Sequence, residues 1–223
     1  MRWKRPGGRA RASAWLALLT ILAACQGGIG DPPVQCPTAA PTSTEAAAIL
    51  ADATDATVET TLGTFTITLR GDVAPIATAN FVALARCGFY DGLTFHRVMA
   101  GVLVQAGDPN TRLEQGDFEG VGTGGPGYGF AAEVPPDGLN YDPYSVAAAH
   151  DDQNLNGSQF LVCLSDLNGI LDRTYTIFGL VTDGTEVIDA IGAAEVTSDV
   201  VQVPVDPILI NRITVGAPEG TPS

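Results

Sequence analysis

A chain of 223 residues with 25 Asp and Glu against 11 Lys and Arg carries a formal net charge of −14, and a surface this acidic repels phosphate backbones and anionic lipid headgroups. Nucleic-acid binding and peripheral adsorption to a membrane are excluded on that ground, so any membrane attachment has to be covalent. The length suffices for one domain of ordinary size with a buried core, plus extra segments.

Residues 1–24 have the layout of an export signal. Arg2, Lys4, Arg5, Arg9 and Arg11 come first with no acid among them, then the apolar run Ala14 to Ala24, which is too short for a transmembrane helix. Leu22-Ala23-Ala24-Cys25 resembles a bacterial lipobox and makes Cys25 the expected lipidation site. Each buried acyl CH₂ contributes about 0.8 kcal/mol, so several chains on Cys25 would hold the protein on an extracytoplasmic membrane face. Loss of residues 1–24 removes five basic residues and no acid, leaving a net charge of −19, six Arg and no Lys.

From 25 to 56 the chain is rich in Gly, Pro, Thr, Ala and Asp, as expected of a flexible tether. Within it, Thr42-Ser43-Thr44-Glu45 ahead of Ala46 to Leu50 is a capping-box pattern able to start one short helix. Beyond Cys25 the cysteines are Cys36, Cys87 and Cys163, so at most one disulfide forms. Cys163 sits in an apolar run and reads as a buried thiol. A Cys36–Cys87 bridge is possible in an oxidising compartment, but the sequence does not place it.

The folded domain is expected over 57–215. Val58, Thr60 and Leu62, then Gly63, then Phe65, Ile67 and Leu69 form a period-two pattern broken by a turn residue, hence a hairpin. Pro75 can open a helix with Ala77, Phe81 and Leu84 on one face and Gly88 at its close. Short strands are expected near 95–98, 102–105, 145–149, 160–164, 176–181 and 208–215, with a second helix over 185–191 and a frayed tail over 216–223. Short strands between Gly-rich turns suggest an antiparallel barrel.

Several spaced motifs resemble the cyclophilins over Thr57 to Val215. They are Phe95-His96-Arg97-Val98, then Gln105 with Gly107-Asp108, the loop Gly122-Thr123-Gly124-Gly125-Pro126-Gly127-Tyr128, Ala147 to His150, Asn156-Gly157-Ser158-Gln159-Phe160-Leu161, Leu171-Asp172, Tyr175 and Phe178-Gly179. The resemblance implies a mainly β fold, a closed eight-stranded antiparallel barrel capped by two α-helices, and peptidyl-prolyl cis-trans isomerase activity that needs no cofactor and no metal. Rotation about an X-Pro bond crosses about 18 to 20 kcal/mol because twisting breaks amide resonance, so a catalyst must favour the twisted amide. A guanidinium does so by donating to the prolyl nitrogen, whose lone pair becomes available only when resonance is lost. Arg97 is the expected catalytic group, with Gln105 orienting it or binding substrate backbone.

The resemblance also implies substrate contacts from Val102, Leu103, Ala149, His150, Phe160, Leu161, Ile170, Leu171 and Tyr175, with Phe160 turned toward the core. Val102 and Leu161 stand where the family often has aromatics, Leu103 where it has Met, and Ile170 where it often has Trp. Smaller walls lower ring binding by about 1 to 3 kcal/mol, so reduced turnover and poor cyclosporin binding are expected. The expected partners are proline-containing peptides and unfolded exported proteins, with the lipid bilayer engaged through acylated Cys25 and the protein itself a monomer. The alternatives are a proline-peptide-binding or scaffold module with weak turnover, and a structural envelope lipoprotein with neither activity.

Other patterns carry less. Asp152, Asn154, Asn156 and Gly157 imitate the start of an EF-hand loop, yet the twelfth position is Cys163, where calcium needs a bidentate Glu. The Gly-rich loop lacks the Lys of a phosphate cradle. His96 reads as a satisfied core histidine.

Overall fold

The computed structural model describes residues 34–112, 120–198 and 202–216. The expected signal peptide, Cys25 and residues 217–223 of the tail lie outside them. The alternating segment folds as anticipated into a hairpin of β1 (Asp55–Thr60) and β2 (Gly63–Leu69), with Val58 opposite Phe65 and both side chains fully buried. Helix α2 (Pro75–Arg86) follows, with Pro75 at its first turn and Ala77, Phe81 and Leu84 buried. Its N-cap residue Ala74 has no side-chain acceptor, and the carboxylate of Glu133 accepts from Ile76 N (3.1 Å) and Ala77 N (2.8 Å) instead. That anion satisfies two of the orphan donors and complements the helix dipole.

The remaining strands are β3 (Arg97–Met99), β4 (Leu103–Ala106), β5 (Phe130–Ala131), β6 (Ser145–His150), β7 (Leu155–Cys163), β8 (Thr176–Asp183) and β9 (Ile210–Gly216), with helix α3 (Thr185–Gly192) between β8 and β9. They form one antiparallel sheet in the order β3-β4-β7-β6-β8-β2-β1-β9, with β5 on β7. The expected closed eight-stranded barrel is corrected to a nine-stranded, open half-barrel. Among the described residues its terminal strands β3 and β9 share no ladder, and the preceding segments meet through a Thr94–Leu209 bridge with flanking bonds such as Phe95 N to Ile208 O (2.9 Å). Pro204 and Pro207 lack the N–H groups a continuous ladder requires.

A third helix, α1 (Ser43–Ile49), starts at Thr42 with the anticipated capping box: Glu45 N donates to Thr42 Oγ1, and the Glu45 carboxylate accepts from Thr42 N at 2.8 Å. The tether expected over 25–56 is therefore ordered well before residue 56. Ala46 is fully buried, Ile49 and Leu50 pack on the core, and a disulfide joins Cys36 to Cys87 at the C-terminal end of α2. Arg86 adds hydrogen bonds to Ile49 O and Asp52.

Side chains on the strands divide by parity into two apolar clusters. Val98, Val104, Ala106, Val146, Ala148, Phe160, Val162 and Phe178 face the interior, where Phe81, Tyr90, Phe95 and Phe160 make edge and tilted ring contacts. Leu103, Ala147, Leu161, Cys163 and Ile177 face outward and cluster with Tyr141 and Leu167. Both faces of β4, β6 and β7 are thus apolar, and the outward one underlies the site.

Candidate active site

Register assembles the outer face. Arg97 of β3 lies directly opposite Gln105 of β4, Gln105 opposite Leu161 of β7, Leu161 opposite Ala147 of β6, and Ala147 opposite Ile177 of β8. One row across the sheet therefore runs from an exposed guanidinium through an amide to a buried apolar floor. The next row adds Met99, Leu103 and Cys163. Leu103 and Leu161 are 4% and 2% exposed, while Val102, Leu171 and Tyr175 pack partly buried against this cluster. Five expected apolar contacts thus gather beside Arg97 and Gln105. Burial pushes the Cys163 thiol up to about 12, so it stays protonated and is no nucleophile.

Of the six arginines beyond residue 25, four are committed to structure. Arg70 pairs with Asp72, Arg86 holds Asp52 and Ile49 O, Arg112 donates to Phe89 O and Asp91 O, and Arg173 to Pro135 O and Pro136 O. Arg97 uses only Nε, toward Gln202 Oε1 at 3.2 Å. Among the described residues its terminal nitrogens have no hydrogen-bond acceptor, so the fork remains able to donate.

Beside the row opens a cavity of about 670 Å³ lined by Gln105, Gln159, Ala149, His150, the Gly-rich loop and the β6–β7 turn. Asp108 organises its wall. This fully buried carboxylate accepts from Asn110 N (2.8 Å), Gly122 N and Gly124 N (3.3 Å), turning the loop's N–H groups inward. A Cβ on Gly124 would overlap the Asp108 carboxylate, and one on Gly107, at φ +93°, would overlap Ser158 O. Gly122 O and Gly124 O accept from Gln159 Nε2 (3.0 and 2.8 Å), and Gln159 Oε1 accepts from Gln105 Nε2 at 2.8 Å. That chain leaves Gln105 Oε1 as the acceptor beside Arg97. His150 Nδ1 lies 2.9 Å from Asp151 O, which can only accept, so Nδ1 carries a proton, and Nε2 lies 3.0 Å from Thr174 Oγ1. Its ring lies 4.2 Å from that of Tyr175 and joins the cavity to the apolar half.

Phe160 faces the interior as expected, 1% exposed against Phe81, Tyr90 and Phe95, because strand parity sends it opposite to Leu161. Two expectations change. Ile170 is 69% exposed on the turn after Leu167 and stays outside the apolar cluster. His96 is buried and poorly satisfied: among the described residues neither ring nitrogen makes a hydrogen bond of good geometry, and only weak interactions with the Thr94 backbone and the Gln159 side chain reach it. Gln159 and Asp108 belong to the site although sequence reasoning assigned them no role; their place inside quoted motifs was the available signal. Among the described residues no group of three or more His, Cys, Asp or Glu is placed to hold a metal ion.

Desolvation holds the His96 pKa below its ordinary 6.5, with the nearby Asp108 carboxylate opposing in part. The unfolded chain protonates His96 as pH falls through about 6.5 while the folded one does not. Stability is therefore intact above that value and declines below it, by up to about 1.4 kcal/mol per pH unit until the lower folded pKa is reached. Urea unfolding at pH 7.5 and 5.5 should show a larger loss for the wild type than for His96→Gln; equal losses would remove His96 as a source.

The family model described as cyclophilin type peptidyl-prolyl cis-trans isomerase/CLD matches residues 56–215. A peptidyl-prolyl cis-trans isomerase of Helicobacter pylori is 39% identical over 154 residues, covering 68% of this chain and 88% of that protein. Peptidyl-prolyl cis-trans isomerase A of Mycobacterium tuberculosis is 39% identical over 184 residues, covering 74% and 93%. Among solved structures, a Cryptosporidium parvum cyclophilin type isomerase aligns with a TM-score of 0.65 at 29% identity, covering 76% of this chain and 99% of that one. The same protein in the presence of the dipeptide Ala-Pro aligns with a TM-score of 0.63 at 30% identity, covering 73% and 99%. With its mainly β half-barrel, its three helices and this outer-face site, the chain belongs to the cyclophilin-type peptidyl-prolyl cis-trans isomerases.

Proposed function

We propose that this isomerase seats a proline over Leu103 and Leu161, between Val102, Leu171 and Tyr175, and that Arg97 donates to the prolyl nitrogen as the amide twists out of plane. The observation that carries this reading is the row of Arg97, Gln105 and Leu161, a guanidinium with its terminal donors available next to an amide and an apolar floor. Donation to that nitrogen is strong only when its lone pair is not delocalised, so it stabilises the twisted state over both planar forms. Gln105, held by Gln159, orients Arg97 or receives a substrate N–H. No covalent intermediate is required. Exchange NMR on an Ala-Pro peptide tests the reading directly: catalytic amounts of protein should speed cis-trans exchange. Peptide binding without acceleration would favour a binding module, the second reading, which rests on the aliphatic walls at Val102 and Leu161.

The same reading places the protein outside the cytoplasm as a monomer, with residues 1–24 removed, Cys25 acylated, and unfolded exported proteins as its substrates. The Cys36–Cys87 disulfide supports an oxidising compartment. Incorporation of labelled palmitate into the wild type and its loss in Cys25→Ser is the expected result, and equal labelling would refute the anchor.

A further inference from the structure

Gln202 holds its backbone in a conformation that its residue type disfavours. Its φ is +62°, and among the described residues the other non-glycine residues with positive φ are Tyr144 and Asn154. An L side chain in this left-handed region crowds the following carbonyl, so glycine or asparagine is the ordinary occupant, and a glutamine there has to be held by its surroundings. Two backbone bonds hold it. Gln202 N donates to Ser198 O at 2.9 Å, and Gln202 O accepts from Val98 N of β3 at 2.8 Å. The neighbouring residues root the segment: Thr197 N donates to Val203 O and Val205 N to Glu195 O, both at 2.8 Å, around a Val196–Pro204 bridge. Pro204 is buried and Val196 packs on the interior cluster. Gln202 is thereby laid along the outer edge of β3, and from there its Oε1 accepts from Arg97 Nε at 3.2 Å, across 105 residues of sequence.

We infer that Gln202 is a positioning residue for Arg97: its amide oxygen fixes the direction of Nε–H, and with it the plane of the guanidinium, so that the two terminal nitrogens are presented to the prolyl nitrogen. The inference deepens the isomerase reading of the Arg97 row and rests on it. A guanidinium is planar and rigid, so a bond at Nε restricts where both terminal nitrogens can point. The stem of an exposed arginine otherwise samples many rotamers, and a donor to a short-lived twisted amide acts best when it is preorganised. Arg97 is then set between two amides from different parts of the fold, Gln105 opposite it in the ladder and Gln202 from the outer edge. Gln202 spends its acceptor on the one guanidinium nitrogen that the reaction does not need. The size of the effect is that of one exposed hydrogen bond, about three- to tenfold in rate.

Gln202→Gly tests this, because glycine adopts the same φ without strain and keeps both backbone bonds while removing the acceptor. Exchange NMR on an Ala-Pro peptide should show kcat/KM lowered about three- to tenfold, carried by kcat with KM little changed, while the urea midpoint stays close to that of the wild type. Gln202→Glu keeps an acceptor of the same reach and should recover most of the rate. In the Arg97→Ala background Gln202→Gly should cost nothing further, since a residue that acts through another has no effect once that one is gone. The Arg97 Nε–H proton, identified in the NMR spectrum by its absence from Arg97→Lys, gives a readout independent of turnover: its exchange with water should be about three- to tenfold faster in Gln202→Gly. An unchanged exchange rate of that proton, wild-type turnover in Gln202→Gly, or a loss of turnover that persists in the Arg97→Ala background would overturn the inference and leave the isomerase reading intact. Failure of the wild type itself to accelerate the peptide would defeat the isomerase reading, and the inference with it.

Discussion

Replacing Arg97 by alanine is expected to lower kcat/KM for an Ala-Pro peptide by about 100- to 1,000-fold, the range found when one preorganised donor to a transition state is removed. The size follows from the chemistry. The prolyl nitrogen accepts a hydrogen bond only in the twisted state, so nearly all of the interaction is differential and appears in the rate. Arg97 is exposed on β3 and, among the described residues, bonds only Gln202 through Nε, so its removal should shift unfolding by no more than about 0.5 kcal/mol. Arg97→Lys keeps the charge without the planar fork and should recover only part of the loss. A rate for Arg97→Ala within about threefold of wild type would sink the assignment, because 1.36 kcal/mol already corresponds to tenfold.

The second large effect is on stability. Cys36 and Cys87 are 51 residues apart in sequence, and a cross-link closing a loop of that size typically stabilises a fold by about 2 to 4 kcal/mol, chiefly by restricting the unfolded chain. The double variant Cys36→Ser, Cys87→Ser should unfold at correspondingly lower urea, and dithiothreitol should lower the wild-type midpoint while leaving the variant unmoved. The arm it holds, with α1, is otherwise retained by Ala46, Ile49, Leu50 and the Arg86 bonds to Ile49 O and Asp52. The Asp52 pair is solvent-exposed, so it adds little. Faster proteolysis between residues 36 and 54 in the variant would accompany the loss. Coincident midpoints would show that apolar packing alone secures the arm.

The two effects separate cleanly in the structure. Arg97 sits on the outward row of the sheet, whereas Cys87 closes α2, whose buried residues pack on the interior cluster. Each variant should therefore affect one quantity and spare the other, within the additivity expected of distant sites.

Elements with a strong local signal were legible from residue order alone. The β1–β2 hairpin follows from strict alternation around Gly63, α2 from Pro75 and the 77, 81, 84 spacing, and the α1 capping box from Thr42 and Glu45. The motif around Arg97 and Gln105 was equally visible, because polar residues among strand-forming apolar ones demand a reason. Facing was not legible on β6 and β7, since both of their faces are buried and apolar, and alternation then carries no contrast. Alternation alone therefore does not separate Phe160 from Leu161; only the family resemblance turned Phe160 toward the core, and register sets the two on opposite sides.

Sequence by itself determined the acidic charge, the order of the elements and the identity of the guanidinium and its amide neighbour, all properties of residue type and short spacing. Only the tertiary structure decided that the sheet stays open between β3 and β9, that Cys36 meets Cys87, that Asp108 and Gln159 brace Gln105, and that Ile170 stands outside the slot. The physical reason is that hydrogen bonds and contacts between residues tens of positions apart depend on strand register and backbone direction, which no local pattern encodes.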